Sequence, residues 1–516
     1  MDVSHILDDL NDAQREAVTA PPGPMLVLAG AGSGKTRVLV HRMAWLIQVE
    51  GASPFSILAV TFTNKASKEM RARVEKLQGV SPNGMWVGTF HGIAHRLLRA
   101  HWKEAALPQQ FQILDSDDQY RMIRRVLKAL ELDEARWVPR QIQGYINARK
   151  DEGQRPQHID AGADPIRRQM VSIYAAYEAA CERAGVIDFA ELLLRSLELV
   201  RDNEELRKHY RRRFQHILVD EFQDTNTIQY AWIRLLSVPD TDAGAHVFVV
   251  GDDDQAIYGW RGAKVENILT FKKDFPSALM ICLEQNYRST ANILNAANGL
   301  ITHNDGRMGK NLWTDGEDGT PVQLYAAFNE QDEARYVIDR IVDHVSNGNP
   351  RADIAILYRS NAQSRVFEEH LITHAIPYRV YGGLRFFERA EIKDALCYLR
   401  ITNNRNDDPS FERIVNHPTR GIGNKTLDTV RESAQLANVS MWQACQTLVN
   451  SDSLTPRAQK ALQGFIELIN QLDNDTRHIE LHEQVEHTLH ASGLITYFSK
   501  EKGEKAEARI ENLEEL

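Results

Sequence analysis

Four short apolar runs stand out along the chain, and each ends in polar residues able to do chemistry. They are MLVLA at 25–29, ILAVTFT at 57–63, HILV at 216–219 running into Asp220 and Glu221, and VFVVG at 247–251 running into DDDQ. Runs without polar alternates predict strands buried on both faces of a parallel sheet. After the first run, TRVLVHRMAWLI at 36–47 repeats its apolar residues at helical spacing. An open α/β sheet with its chemistry along one edge is the expected fold. Between about 92 and 214 the strand pattern disappears. DDQYRMIRRVLKALEL (117–132), RRQMVSIYAAYEAACERAG (167–185) and FAELLLRSLELV (189–200) predict an all-helical domain inserted into the sheet. VQLYAAF (322–328) and IAILYR (354–359) predict two further strands.

Composition narrows the class. A chain of 516 residues is too long for one core, so two or more domains are expected. Hydrophobic residues make up 43% and charged residues 26%, as in ordinary globular proteins, and no apolar run nears a membrane span in length. The acidic start, MDVSHILDDLND, is not a signal peptide. Cys181, Cys282, Cys397 and Cys445 are far apart and form no metal or disulfide spacing, which points to a reducing cytoplasm. A net charge of −10 weighs mildly against nucleic acid, but a basic groove can sit on an acidic body.

The candidate chemistry starts directly after the first run. Residues Ala29, Gly30, Ala31, Gly32, Ser33, Gly34, Lys35 and Thr36 match the phosphate-binding pattern G-x-x-x-x-G-K-[ST], with Ala29 in place of the first glycine. Glycines let backbone N–H groups turn toward a polyphosphate at the positive end of the following helix, which continues with Arg37. Lys35 can reach the β and γ phosphates, and the Thr36 hydroxyl can hold Mg²⁺. Asp220 and Glu221 are the candidate partners: one for the Mg²⁺ shell, one to polarise the attacking water. Three further strand ends set an aromatic beside Thr, Asn, His, Gln or Arg: VTFTNKASKEM, VGTFHGIAHRLL and GDDDQAIYGWRGA. Aromatic faces stack on unpaired bases without regard to sequence, so Phe62, His91 and Trp260 are candidates for a single-strand track; a half-buried structural aromatic is the alternative for each.

The ordered series LNDAQREAV, AGAGSGKT, TFTNKA, GTFHG, VDEFQDTN, GDDDQAIYGWRGA and LEQNYRST resembles superfamily 1 DNA helicases of the UvrD/Rep/PcrA group. The resemblance extends through ILYRSNAQSR, YGGLRFFERAEIKDALCYLR and PTRGIGNKT, covering nearly the whole chain. It implies two RecA-like motor domains with helical accessory domains: 1–91 with 215–283, the insert 92–214, a second motor domain from 284 to 381, and an accessory domain from 382 to 516. It also implies roles. Gln14 would read adenine, Gln255 would sense the γ phosphate, Tyr287 would stack on adenine, and Arg288 would act as an arginine finger from the neighbouring domain. Phe62, His91, Phe189, Trp260, Arg359 and Asn361 would line single-stranded DNA, and the turn with Thr419, Gly421 and Gly423 would meet the duplex ahead. ATP and Mg²⁺ are the implied cofactors, with 3′→5′ movement, duplex–single-strand junctions as substrates and DNA-repair proteins as partners. The group's further C-terminal motifs are not seen, and GEKAEARIENLEEL breaks off in a helical pattern, so a fragment that unwinds poorly is expected. A helicase–nuclease subunit and a P-loop ATP switch are the rival functions.

Overall fold

The computed structural model describes residues 3–79, 84–237, 245–359, 363–380, 389–451, 453–500, 509–510, 512–514 and 516. Eight strands are formed among them: β1 (Met25–Ala29), β2 (Ile57–Thr61), β3 (Trp86–Thr89), β4 (Gln112–Leu114), β5 (Val186–Asp188), β6 (His216–Val219), β7 (His246–Gly251) and β8 (Leu279–Leu283). Six of them make one parallel sheet in the order β3-β2-β6-β7-β1-β8. Because side chains alternate across a strand, the unbroken apolar runs feed two cores at once. Leu26, Leu28, Leu58 and Val60 pack on one face, and Met25, Val27, Ala29, Ile57 and Ala59 on the other. Each fully buried Val or Leu contributes about 1.5–3 kcal/mol. A polar substitution in β1 would therefore damage whichever core it faced.

The insert is mainly helical, as its pattern predicts, and has its own core around Ile123, Ile146, Tyr174 and Tyr177. It also contains a two-stranded parallel sheet, β4 with β5, that the sequence reading missed. Three residues per strand is too short for periodicity to register.

The described chain divides into two compact units, Met1–Val322 and Gln323–Leu516. Residues 284–322 lie with the first, since β8 is an edge strand of the main sheet paired to β1. In the second unit, helices Glu330–Ser346 and Ser364–Thr373 share a small core of Ile338, Ile341 and Leu371. A larger helical core gathers Tyr398, Phe411, Trp442 and Phe465. Where strands were expected, at 322–328 and 354–359, none is formed among the described residues, and Leu324, Phe328 and Leu357 are exposed.

No helix among the described residues is long and apolar enough to cross a membrane. Cys181, Cys282, Cys397 and Cys445 are all free thiols.

Candidate active site

The loop after β1 is built for close backbone approach. Gly32 and Gly34 have φ of 68° and 88°, a region costly for residues with a Cβ. Ala29 is the last residue of β1, fully buried and paired with Leu283, so a small side chain is tolerated there and no glycine conformation is needed. The helix Lys35–Gln48 begins directly after Gly34, which aims its free N–H groups into the loop.

Lys35 sits at the centre. Its Nζ is buried with no hydrogen-bond partner, 3.6 Å from Oε2 of Glu221 and 3.8 Å from Oδ2 of Asp252. Asp220 directly follows β6, is 3% exposed, and accepts a hydrogen bond from the Thr36 hydroxyl. Burial and then the neighbouring Glu221 push its carboxyl up to about 7, against opposing pulls from Lys35, the Glu221 N–H and Thr36. A buried carboxyl beside a hydroxyl is a hard-oxygen pair that suits Mg²⁺. Glu221 is held at φ 51°, a left-handed value uncommon for a residue with a side chain and found preferentially at working sites.

A chain of bonds leads out from Glu221. Gln223 donates to Oε2 of Glu221 at 2.8 Å and accepts from the N–H of Asp252 at 2.9 Å. Asp252 in turn accepts from Nε2 of Gln255 at 2.5 Å. Three residues later, Tyr258 stacks on Phe62 with ring centroids 5.3 Å apart and planes 22° from parallel. Phe62, Tyr258, His91 and Phe189 line a cavity of about 360 Å³ between the sheet and the insert, with Asp151, Asp224 and Asn226 at its polar side. His91 and Phe189 meet edge to face at 6.0 Å; each sits in the first turn of a helix capped by a side chain, Thr89 for one and Asp188 for the other. Burial lowers His91 to about 4, which keeps the ring neutral. Burial and then Glu221 raise Asp224 to about 6; burial and then Asp188 do the same to Asp151, which accepts from Asn226 at 3.0 Å. Trp260 is 75% exposed next to Tyr258.

The segment after β8 braces the loop. The Tyr287 N–H donates to the carbonyl of Gly32 at 3.0 Å, and Nδ2 of Asn286 donates to the carbonyl of Ala31 at 2.5 Å. Arg288 is exposed immediately beside Gly32. Its approach to the loop thus comes from within the first unit, five residues past β8, where a neighbouring domain was the expected source. Arg37 lies 6.0 Å from the Tyr287 ring centroid. Gln14 is wholly buried: its Nε2 donates to the carbonyl of Ser33 at 2.7 Å, and its Oε1 accepts from the N–H of Asn11 at 3.1 Å. It therefore braces the loop in this structure. Asn11, Gln285 and Tyr287 carry the exposed polar groups of that corner, bonded to one another at 2.8–3.0 Å.

The expected residues thus fall into three groups. Gln14, residues 29–37, Asp220, Glu221, Gln255, Tyr287 and Arg288 surround the loop; Phe62, His91 and Phe189 line the adjoining cavity, with Trp260 at its side. Arg359, Thr419, Gly421 and Gly423 belong to the second unit, each exposed. Gly421 has φ 79°, and the buried Ile422 between the two glycines anchors their turn through Oδ1 of Asn416. Asn361 lies outside the described residues. Sequence reasoning missed Asn11, Gln223, Tyr258, Asn286 and Lys310. Asn11, Gln223, Tyr258 and Asn286 stand inside the quoted motifs, and only Lys310 lies outside them.

Profiles of two helicase domains match the chain in succession: the UvrD/REP helicase N-terminal domain over residues 10–276 and the UvrD-like helicase C-terminal domain over 281–516. The chain is 61% identical to DNA helicase II of Escherichia coli (strain K12) over 516 residues, spanning all of this chain and 71% of that protein. It is 56% identical to DNA helicase II of Haemophilus influenzae over 520 residues, with the same coverage. It is 42% identical to the ATP-dependent DNA helicase PcrA of Staphylococcus aureus over 514 residues, 99% of this chain and 70% of that one. On these matches, with both domains present in order, the chain belongs to the UvrD/REP helicase family.

Proposed function

We propose that this chain is an ATP-dependent DNA helicase that hydrolyses ATP at the Lys35–Asp220–Glu221 site and uses the energy to move along single-stranded DNA. The observation that carries the reading is the bonded path from Glu221 through Gln223, Asp252 and Gln255 to the stacked pair Phe62 and Tyr258. A hydrolytic carboxylate tied to an aromatic cavity is what coupling of ATP to base stacking requires.

Lys35 holds the β and γ phosphates, and N–H groups of residues 31, 32 and 34–36 wrap them, those of Gly30 and Ser33 being spent on the carbonyls of Leu283 and Gly30. Thr36 and Asp220 would hold Mg²⁺, which when bound neutralises phosphate charge and orients the γ phosphate. Glu221 takes the proton of the attacking water, and Arg288 steadies charge on the departing phosphate. Gln255 senses the γ phosphate and shifts Tyr258 and Trp260. Tyr287, with Gln14 and Arg37 beside it, holds the adenine end. Phe62, His91, Phe189 and Trp260 take successive bases; Arg359 and Asn361 also contact the single strand, and the 419–423 turn meets duplex. The motion is 3′→5′, the substrates are single strands and junctions, and the setting is repair in the bacterial cytoplasm with repair proteins as partners. The four domains are proposed as 1–91 with 215–283, 92–214, 284–381 and 382–516, the stretch 284–322 of the third lying with the first compact unit.

Phosphate release with and without single-stranded DNA tests the reading. Stimulation of at least about tenfold is expected; none would favour a nucleotide switch. Strand displacement on 3′-tailed and 5′-tailed duplexes tests polarity.

A further inference from the structure

The stretch 307–310 folds back onto the acidic run that follows β7 and engages each of its three carboxylates. Arg307 grips Asp254 with two hydrogen bonds of 2.7 and 2.8 Å, and the Met308 N–H donates to Oδ2 of Asp253 at 2.8 Å. Lys310, its side chain 2% exposed, sends its ammonium among all three, 3.2 Å from Oδ1 of Asp252, 3.5 Å from Oδ2 of Asp254 and in hydrogen-bond contact with Asp253. The three carboxylates offer oxygens within 4.8 Å of one another, but these cations fill the role an ion would have, so the cluster is not a metal site. Two residues further, Leu312 lies against the phosphate loop: a Cβ on Gly30 would come within 2.1 Å of its Cδ2.

Asp252 is therefore shared between two ammonium groups, one per oxygen. Oδ1 faces Lys310, while Oδ2 faces Lys35 at 3.8 Å and accepts from Gln255. Phosphate and Asp252 compete for the same lysine, and a buried anion left without a cation is costly. We infer that Lys310 is a positioning residue of the nucleotide site: it neutralises Asp252, so that Lys35 can leave that carboxylate for the phosphates while Gln255 stays in place. Its own bond to Asp253 and its setting on the far oxygen keep Lys310 away from the loop. The inference rests on the reading of Lys35 as the phosphate-holding lysine.

The test is a cycle of Lys310→Met and Asp252→Asn, read as binding of methylanthraniloyl-ATP by fluorescence, with thermal melts run alongside. Binding by the parent protein checks the underlying reading first; its absence would refute the proposed function itself. Lys310→Met is expected to weaken binding about tenfold. In the Asp252→Asn background, where Asp252 no longer competes for Lys35 and only Glu221 remains beside it, the same change is expected to cost less than about twofold. A merely structural clasp would lose affinity equally in both backgrounds, and that result overturns the inference, as does parent-like binding by Lys310→Met. Should Lys310→Met alone not fold, the comparison of Asp252→Asn with the double variant still decides.

Discussion

The ammonium of Lys35 stands 3.6 Å from the carboxylate of Glu221, with no hydrogen bond to complete the pair. The sheet order explains the meeting. Lys35 follows β1 and Glu221 follows β6, and β7 alone lies between those strands, so both residues emerge at the same carboxyl edge. A buried ammonium shared between Glu221 and Asp252 is poised to exchange both for phosphate oxygens.

Lys35→Ala is accordingly expected to lower DNA-stimulated phosphate release by at least about a hundredfold, the scale of losing one preorganised charge-stabilising donor. Single-strand affinity, measured by fluorescence anisotropy, should stay near the parent value because Phe62 and Tyr258 are untouched. Equal loss of both would show that Lys35 is structural.

Phe62→Ala removes one member of the stacked pair. Base–aromatic stacking is worth about 1–3 kcal/mol per base, so the Kd for single-stranded DNA should rise about 5- to 150-fold. The slope of log Kd against log salt should not change, since no phosphate contact is lost. His91 adds a check: held neutral down to about 4, it should contribute nothing to any change in affinity between pH 8 and 6, so His91→Gln should follow the parent's pH profile. A smaller gain in the variant than in the parent would mean the ring is charged and contacting phosphate.

Much of this site could be read in the sequence because its strands are unbroken apolar runs and its loop needs glycines at fixed places. β8 escaped notice since it is an edge strand, with Leu279 41% and Met280 42% exposed. The braces escaped for another reason. Asn286 and Lys310 act across 255 and 57 positions respectively, and in QNYR or GKNL each resembles an ordinary surface polar residue. Local patterns reveal what the backbone must do at a position; they do not reveal which distant carbonyl or carboxylate a side chain will meet.

Asp151→Asn is expected to stabilise the first unit at pH 8 and to change little near pH 4. Burial and Asp188 raise this carboxyl from 3.8 to about 6. The folded chain thus keeps a proton that the unfolded chain has released, and stability falls as pH climbs from about 4 through about 6. The asparagine carries no charge and retains the oxygen that accepts from Asn226. The shift corresponds to at most about 3 kcal/mol, so the first thermal transition at pH 8 should rise by several degrees. A gain that is the same at pH 4 and pH 8 would exclude Asp151 as the titrating group.

Gly32→Ala places a Cβ 2.5 Å from Nδ2 of Asn286 and 2.8 Å from Cβ of Arg288, at a φ of 68°. Two penalties therefore act together. The left-handed conformation costs an alanine about 1–2 kcal/mol, and the clash pushes away the side chain that holds the Ala31 carbonyl. Nucleotide affinity should drop at least about tenfold, while the β1 core, which Gly32 does not enter, should hold. Gly32→Ala combined with Asn286→Ala removes the clash with Asn286 but neither the contact with Arg288 nor the backbone strain. It should recover only part of the loss relative to Asn286→Ala alone, as read by titration with a fluorescent ATP analogue. Full recovery would mean that the steric contact with Asn286 is the whole effect and that the loop tolerates a side chain at this conformation.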